Sequence, residues 1–151
     1  MERFAAKCTG CQLCARNCPA HIIVPPAKGV PGPVSLDLDR GYCRYDCNRC
    51  GRICPTGAIG VLPLAEKQRT RIAAARFDPR HCLVFQEGVS CGKCAEACPV
   101  GAIRLRKNGT PRPVDPTWCI GCGACQYSCP AAPKAMVVGS VNEQTEITKE
   151  G

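Results

Sequence analysis

Aromatic residues are scarce in this sequence. Three Phe, three Tyr and one Trp are all that its 151 residues offer. A hydrophobic core built from so few large side chains would be thin, and small domains with thin cores usually depend on disulfide bonds or bound metal for stability. We therefore expect the chain to be largely unfolded when no such stabilising group is bound.

Long apolar runs are also missing. Proline or a charged residue interrupts every apolar segment before it reaches the length of about 20 residues that a membrane-spanning helix needs. The first eight residues contain no apolar run, no twin arginine and no small-residue cleavage site. The sequence thus predicts a cytoplasmic protein that does not bind a membrane by itself.

Cysteine, by contrast, is abundant, and its sixteen occurrences form a repeat. One pattern of four cysteines, with a proline directly after the last, occurs four times. No cysteine lies outside the repeat. The four copies are Cys8, Cys11, Cys14 and Cys18; Cys43, Cys47, Cys50 and Cys54; Cys82, Cys91, Cys94 and Cys98; and Cys119, Cys122, Cys125 and Cys129.

The spacing within a copy suits an iron–sulfur cluster. Gaps of two residues let a tight loop direct three thiolates to three corners of one cube, and the longer third gap directs the fourth thiolate elsewhere. Glycines between the ligands are expected to adopt positive φ and to bring the backbone close to sulfide; they are Gly10, Gly92, Gly121 and Gly123. We predict four [4Fe–4S] clusters that use all sixteen cysteines as ligands.

Three alternatives remain at this point. Zinc knuckles also use Cys-x2-Cys pairs, but they join two pairs across a longer gap. A disulfide framework would suit a secreted chain and not a reducing compartment. Cys82, which an eight-residue loop separates from Cys91, could be a structural thiol instead of a ligand.

The motifs resemble those of bacterial [4Fe–4S] ferredoxins, most closely in the segments CPVGAIRL and VDPTWCIGCGACQYSCP. Residues 8–138 resemble two such ferredoxins in tandem. In that family the fourth cysteine of a motif ligates the neighbouring cluster. The resemblance therefore implies that Cys54 joins the first copy, Cys18 the second, Cys129 the third and Cys98 the fourth. A nested pairing, of copy one with four and copy two with three, also fits the pattern.

The predicted fold is α+β, with two tandem ferredoxin-like domains of short β-hairpins and short helices around the clusters. The first domain covers residues 1–61, a helical linker 62–76, the second domain 77–140, and a polar tail 141–151. Short strands are expected before Cys43, Cys82 and Cys119, and a helical turn after each Cys-Pro step. Asn108-Gly109 indicates a hairpin between the third and fourth copies.

The formal net charge is +8 when every thiol is counted as neutral. Four oxidised clusters with their thiolates would contribute about −2 each, or about −8 in total. The basic excess then compensates the clusters, so nucleic acid is not a predicted partner.

The sequence has no glycine-rich nucleotide loop and no nucleophile with an adjacent base, so no catalytic residue is predicted. We expect an electron-transfer subunit of an oxidoreductase complex. The chain resembles the small four-cluster subunit of tungsten-dependent aldehyde oxidoreductases and the ferredoxin-like subunits of nitrate reductase systems. These resemblances imply a catalytic partner of the tungsten or molybdenum, hydrogenase or formate dehydrogenase type, with a flavin subunit as a further candidate. The alternative is a freely diffusing polyferredoxin.

Overall fold

The computed structural model describes residues 2–140. The chain divides into two compact units, Met1–Gln68 and Arg69–Gly151, which we call the first and second units. The predicted polar tail, 141–151, lies outside the described residues. Within the described part, no helix is long and apolar enough to cross a membrane.

The first unit contains four short helices and one pair of short strands. In chain order they are α1 (Glu2–Lys7), α2 (Leu13–Arg16), β1 (Ile23–Val24), β2 (Ser35–Leu36), α3 (Arg49–Ile53) and α4 (Leu64–Lys67). The strands are antiparallel, and Ile23 pairs with Leu36. Helix α2 contacts both α3 and β1. Few large side chains are buried here, namely Ile22, Val34 and Leu38 with Ile23 beside them, so the apolar core is as thin as the sequence predicts.

The second unit is organised around a longer pair of strands. Its elements are β3 (Ala73–Phe77), a 3-10 turn (Pro79–His81), α5 (Leu83–Gln86), α6 (Lys93–Glu96), α7 (Ala124–Tyr127) and β4 (Met136–Ser140). Strands β3 and β4 are antiparallel, with Phe77 opposite Met136. Met136 and Ile103 are buried together with Cys82, Cys125 and Cys129. Cysteines therefore form part of the core itself.

The short helices and short antiparallel strand pairs agree with the predicted α+β class, but the helices lie elsewhere than expected. The third cysteine of each copy lies in a helix: Cys14 in α2, Cys50 in α3, Cys94 in α6 and Cys125 in α7. The segments after the Cys-Pro steps are turns and contain no helix. The prediction of a helical turn there was wrong.

The physical reason is a residue of positive φ three positions after the cysteine in the first three copies. His21, Gly57 and Gly101 have φ of 53°, 64° and 65°, and each donates its N–H to the carbonyl of the preceding fourth cysteine at 3.1–3.3 Å. Proline followed by a left-handed residue reverses the chain and stops a helix.

The predicted helical linker over residues 62–76 does not form one helix. Only Leu64–Lys67 is helical, whereas Ala73–Phe77 is strand β3. Ala73, Ala74 and Ala75 favour a helix by intrinsic propensity, but here they pair with β4, and Ile72 N–H donates to the Ile120 carbonyl at 3.0 Å. Long-range pairing overrides local preference in this segment.

The predicted reversal at Asn108-Gly109 is confirmed. Gly109 has φ of 78°, and Arg106 N–H donates to the Thr110 carbonyl at 2.8 Å. The ladder that follows is short, with one isolated bridge between Leu105 and Pro111. Pro111 and Pro113 have no N–H to donate to a ladder, so the strand expected before Cys119 does not develop.

The eight residues between Cys82 and Cys91 contain helix α5. The Phe85 ring on this helix lies 6.0 Å from the Phe77 ring of β3, centroid to centroid. This contact attaches the insertion to the strand pair, so the extra length does not displace Cys82 from the core.

Candidate metal centres

The first three cysteines of copy one share a cavity with the last cysteine of copy two. Cys8, Cys11, Cys14 and Cys54 line a space of about 320 Å³ that opens to solvent. Val34 and Ile59 form part of its apolar wall. The side chain of Cys54 reaches this space because α3, which ends at Ile53, packs against α2.

The last cysteine of copy one likewise lies near the first three cysteines of copy two. Burial, together with the charges of Cys43, Cys47 and Cys18, raises the pKa of the Cys50 thiol to about 11. Cys18 acts on Cys43 in the same way. Cys18, Cys43, Cys47 and Cys50 therefore lie close enough together to influence one another's ionisation.

Copies three and four have the same relation in the second unit. Cys98 lines a space of about 300 Å³ with Cys119, Cys122 and Cys125. Burial raises the pKa of Cys125 to about 12, with further contributions from Cys122, Cys119 and Cys98. Burial likewise raises the pKa of Cys94 to about 11, and Cys91 and Cys82 add to it. Cys129 belongs to the same buried cluster as Cys82, and Cys94 packs against that cluster.

The described cysteines thus form three quartets, each with three members from one copy's loop and the fourth from its neighbour, and a group of Cys82, Cys91 and Cys94. We assign Cys129, which shares a buried cluster with Cys82, to this last group. Copy one is grouped with copy two, and copy three with copy four. Cys82 lies with Cys91 and Cys94 despite the long insertion. We name the groups the Cys8, Cys18, Cys82 and Cys98 quartets after their first members.

The chemistry of these groups fits an iron–sulfur core. Four sulfur donors line each of these two cavities, and burial raises the pKa of several thiols further above neutral pH. A bound core would displace those protons, because the thiolate is the ligand. Within residues 2–140, no three His, Cys, Asp or Glu side chains are gathered around a point as a single metal ion requires.

The quartets differ in their exposure. Cys11 is exposed, and the rest of the Cys8 quartet is partly buried apart from Cys14, which is buried. In the Cys98 quartet, Cys119, Cys122 and Cys125 are all buried. The Cys8 quartet is therefore the more accessible of these two to small molecules.

Main-chain N–H groups point at sulfur after two of the Cys-Pro steps. Ala102 N–H donates to Cys98 Sγ at 3.3 Å. Burial acts to raise the pKa of Cys54, but hydrogen bonds with the N–H groups of Ile59, Thr56 and Ala58 and with the Thr56 hydroxyl lower the pKa overall. Such bonds favour the thiolate and help to set a cluster's reduction potential. The sequence contained a signal for this feature, since CPTGAI and CPVGAI match at every position but one.

Three of the four glycines predicted to have positive φ have that conformation. Gly10, Gly121 and Gly123 have φ of 68°, 70° and 87°. The prediction for Gly92 was wrong, because its φ is −132°. A Cβ at position 92 would lie 3.1 Å from Leu105 Cδ1, so close packing explains this glycine where conformation does not.

Sequence reasoning missed two features near the quartets. Asp78 and Asp115 each lie four residues before the first cysteine of a copy, and each accepts an N–H from two residues further on at 2.9 Å. Lys67, which lies in a basic stretch with Arg69 and Arg71, is buried. The repeated Asp-Pro-x-x-Cys segments were a signal for the first feature, whereas nothing local distinguished Lys67 from Arg69 and Arg71.

Comparison with known proteins places these findings in a family. The model of the 4Fe-4S dicluster domain matches three stretches, residues 7–58, 42–102 and 87–135. The middle match joins copies two and three. The family pattern alone therefore does not show which neighbouring copies have cysteines that lie together, whereas the quartets group copy one with copy two and copy three with copy four.

Two kinds of curated relative are similar along most of this chain. The methylamine utilization ferredoxin-type protein MauM of Methylobacillus flagellatus is 30% identical over 139 residues, 83% of this chain and 58% of the relative. The ferredoxin-type protein NapF of Escherichia coli K12 is 29% identical over 134 residues, 87% of this chain and 76% of the relative. The chain thus spans little more than half the length of MauM. The matched stretches together cover far more than half of the chain, and this chain belongs to the 4Fe-4S dicluster domain family.

Proposed function

We propose that this chain holds four [4Fe–4S] clusters and transfers single electrons through them. The observation that carries the proposal is the grouping of sixteen cysteines into four quartets, each completed by a cysteine from the neighbouring copy. Family membership supports the type of cluster. A cluster supplies reversible one-electron chemistry, and the chain's residues hold it, donate hydrogen bonds to its sulfur ligands and limit its contact with water.

Each unit would then be a two-cluster ferredoxin domain. The shared fourth cysteines bring two clusters of one unit to adjacent loops, so electrons pass between them within the unit. The contacts of α2 with α3 in the first unit and of α6 with α7 in the second support this arrangement. The expected division into residues 1–61 and 77–140 stays a prediction of where those domains end.

The partner we propose is a redox enzyme that binds and activates the substrate itself. Relatives named ferredoxin-type proteins support a carrier role. The type of that enzyme remains a prediction: a tungsten or molybdenum enzyme, a hydrogenase or a formate dehydrogenase, with a flavin subunit as a further candidate. The cytoplasmic location and the choice between a fixed subunit and a diffusing carrier also remain predictions. Stoichiometric oxidation of the reduced chain by the purified partner is the measurement that identifies it.

The test of the cofactor proposal is an anaerobic preparation of the full chain. Iron and acid-labile sulfide should each reach sixteen per chain, because four cubes contain four of each. Titration with a one-electron reductant should then bleach the cluster absorbance in several steps, because neighbouring clusters interact electrostatically. The isolated chain should turn over no organic substrate.

Two results would contradict this proposal. Zinc without sulfide would show that the quartets bind single ions. Iron and sulfide at twelve or eight, in a preparation whose spectrum does not change on further reconstitution, would show that one or two quartets are not cluster sites.

A further inference from the structure

Lys67 is the one buried charged side chain among the residues that the structure describes. It is the last residue of α4, and 9% of its surface is exposed. Burying an ammonium group is costly unless its hydrogen-bond donors are satisfied and a negative charge lies nearby. The surroundings of this side chain therefore need an explanation beyond packing.

The Lys67 ammonium contacts the loop that begins at Cys43. Its Nζ donates to the Arg44 carbonyl at 2.5 Å and to the Tyr45 carbonyl at 3.3 Å. These two contacts place the positive charge beside Cys43, whose thiolate it favours although burial raises the Cys43 pKa overall. An ammonium has three N–H groups, and the two carbonyls accept two of them.

We propose that Lys67 raises the reduction potential of the cluster bound by the Cys18 quartet, by holding a fixed positive charge on the loop that presents the Cys43 ligand. This inference rests on the proposed function, since it needs a cluster at that quartet. Reduction takes one electron from a donor and adds one negative charge to the cluster, without a bond being formed or broken. A cation close to the ligand stabilises the reduced form more than the oxidised form.

Burial strengthens the effect. A charge pair in a low-dielectric environment interacts far more strongly than one in water, and solvent screens it less. The N–H groups that point at Cys54 and Cys98 carry no net charge, so Lys67 should have the larger influence on its own cluster.

Lys134 in the second unit offers a matched comparison. Its Nζ also donates to two main-chain carbonyls of a cysteine loop, those of Cys129 at 3.0 Å and Tyr127 at 3.3 Å. It therefore shares the charge and the carbonyl contacts of Lys67. If carbonyl capping were the whole role of such a lysine, the two would behave alike.

The experiment measures the midpoint potentials of the full four-cluster protein by EPR-monitored titration. Lys67→Gln keeps two N–H donors and removes the charge, and Lys67→Arg keeps the charge. In the Gln variant, one of the four midpoint potentials should fall by at least 59 mV, which corresponds to a tenfold change in the one-electron equilibrium constant. The Arg variant should lie closer to the wild type, and Lys134→Gln should leave that midpoint in place.

A second readout uses the wild-type protein and so does not depend on a variant that assembles. With nitrogen-15 incorporated only at the side-chain nitrogen of lysine, pulsed EPR of the partly reduced protein should show a lysine nitrogen coupled to a cluster, and Lys67→Gln should abolish the coupling. Unchanged midpoints in a fully loaded Lys67→Gln protein, or no lysine coupling in the wild type, would overturn the inference. Iron and sulfide below sixteen in the wild type would instead contradict the proposed function.

Discussion

At the scale of single residues, glycine at position 121 is required for two separable reasons. It lies between Cys119 and Cys122 with φ of 70°, a conformation that is unfavourable for residues with a Cβ. A Cβ there would also collide with the main-chain carbonyl of Ala73. Backbone cannot move aside as a flexible side chain can, so the cluster loop and β3 approach each other only because this residue is glycine.

We expect Gly121→Ala to disrupt cluster binding in the second unit, and iron should fall from sixteen towards eight per chain. Gly101→Ala is the matched control, because Gly101 has φ of 65° but no heavy atom within 4 Å of a Cβ. The control should bind all four clusters with a loss of stability of about 1 kcal/mol. The measurement is iron content with thermal unfolding of each variant. Equal behaviour of the two variants would show that the collision with Ala73 does not matter.

At the scale of elements, an aspartate fixes the approach to two of the cluster loops. Asp115 accepts hydrogen bonds from the Thr117 N–H at 2.9 Å and the Thr117 hydroxyl at 2.6 Å, just before Cys119. Asp78 accepts from the Arg80 N–H and guanidinium, just before Cys82. Prolines in the segments before Cys82 and Cys119 cannot donate main-chain hydrogen bonds, and the bonds to the aspartates take their place.

Asp115→Ala should accelerate loss of the clusters of the second unit several-fold on exposure to an iron chelator, because the loop that presents Cys119 loses both bonds. Asp115→Asn, which retains an acceptor oxygen, should lose clusters more slowly than the Ala variant. The decay of cluster absorbance measures both rates. Identical rates for the wild type and the Ala variant would show that the turn does not position the ligand.

The pH dependence of the Asp78 turn follows from the same bonds. The Arg80 side chain and N–H hold the pKa of Asp78 at about 2, below its ordinary value of 3.8. A lowered folded-state pKa contributes stability above the ordinary value, and that contribution is lost as the pH falls towards about 2. The turn is therefore fully formed throughout the neutral range, and substitutions of this residue can be compared at neutral pH.

At the scale of the whole molecule, each unit contains both of the cysteine copies that are grouped together. Residues 1–68 include the Cys8 and Cys18 quartets, and residues 69–151 include the Cys82 and Cys98 quartets. Under the proposed ligand assignment, neither unit needs a cysteine from the other.

Produced separately under anaerobic conditions, the two units should each bind two clusters, with eight iron and eight sulfide. Cys18→Ser should lower the iron and sulfide content of the first unit, because it removes a ligand of the Cys18 quartet. The second unit supplies no cysteine that could replace this ligand. Metal analysis and EPR of each unit provide the measurement. Failure of both units to bind clusters, with recovery when they are mixed, would favour the nested pairing instead.

The local features of this molecule could be predicted from the sequence. The number of cysteine groups, the reversal at Asn108-Gly109, the left-handed glycines at positions 10, 121 and 123, and the thin core all depend on residues close together in the chain. Repetition made the cysteine pattern visible four times over. The family model matches for the same reason, since it too responds to local spacing.

Only the tertiary structure decided which copies share their cysteines and what Lys67 contacts. All four copies look alike locally, and the family pattern fits copies two and three as well as it fits their other neighbours. Ala73–Phe77 is a strand because β4 lies beside it, and Lys67 is buried because the loop of Cys43, more than twenty residues earlier, offers it two carbonyls. Such contacts depend on the positions of distant segments in space, and no local preference encodes them.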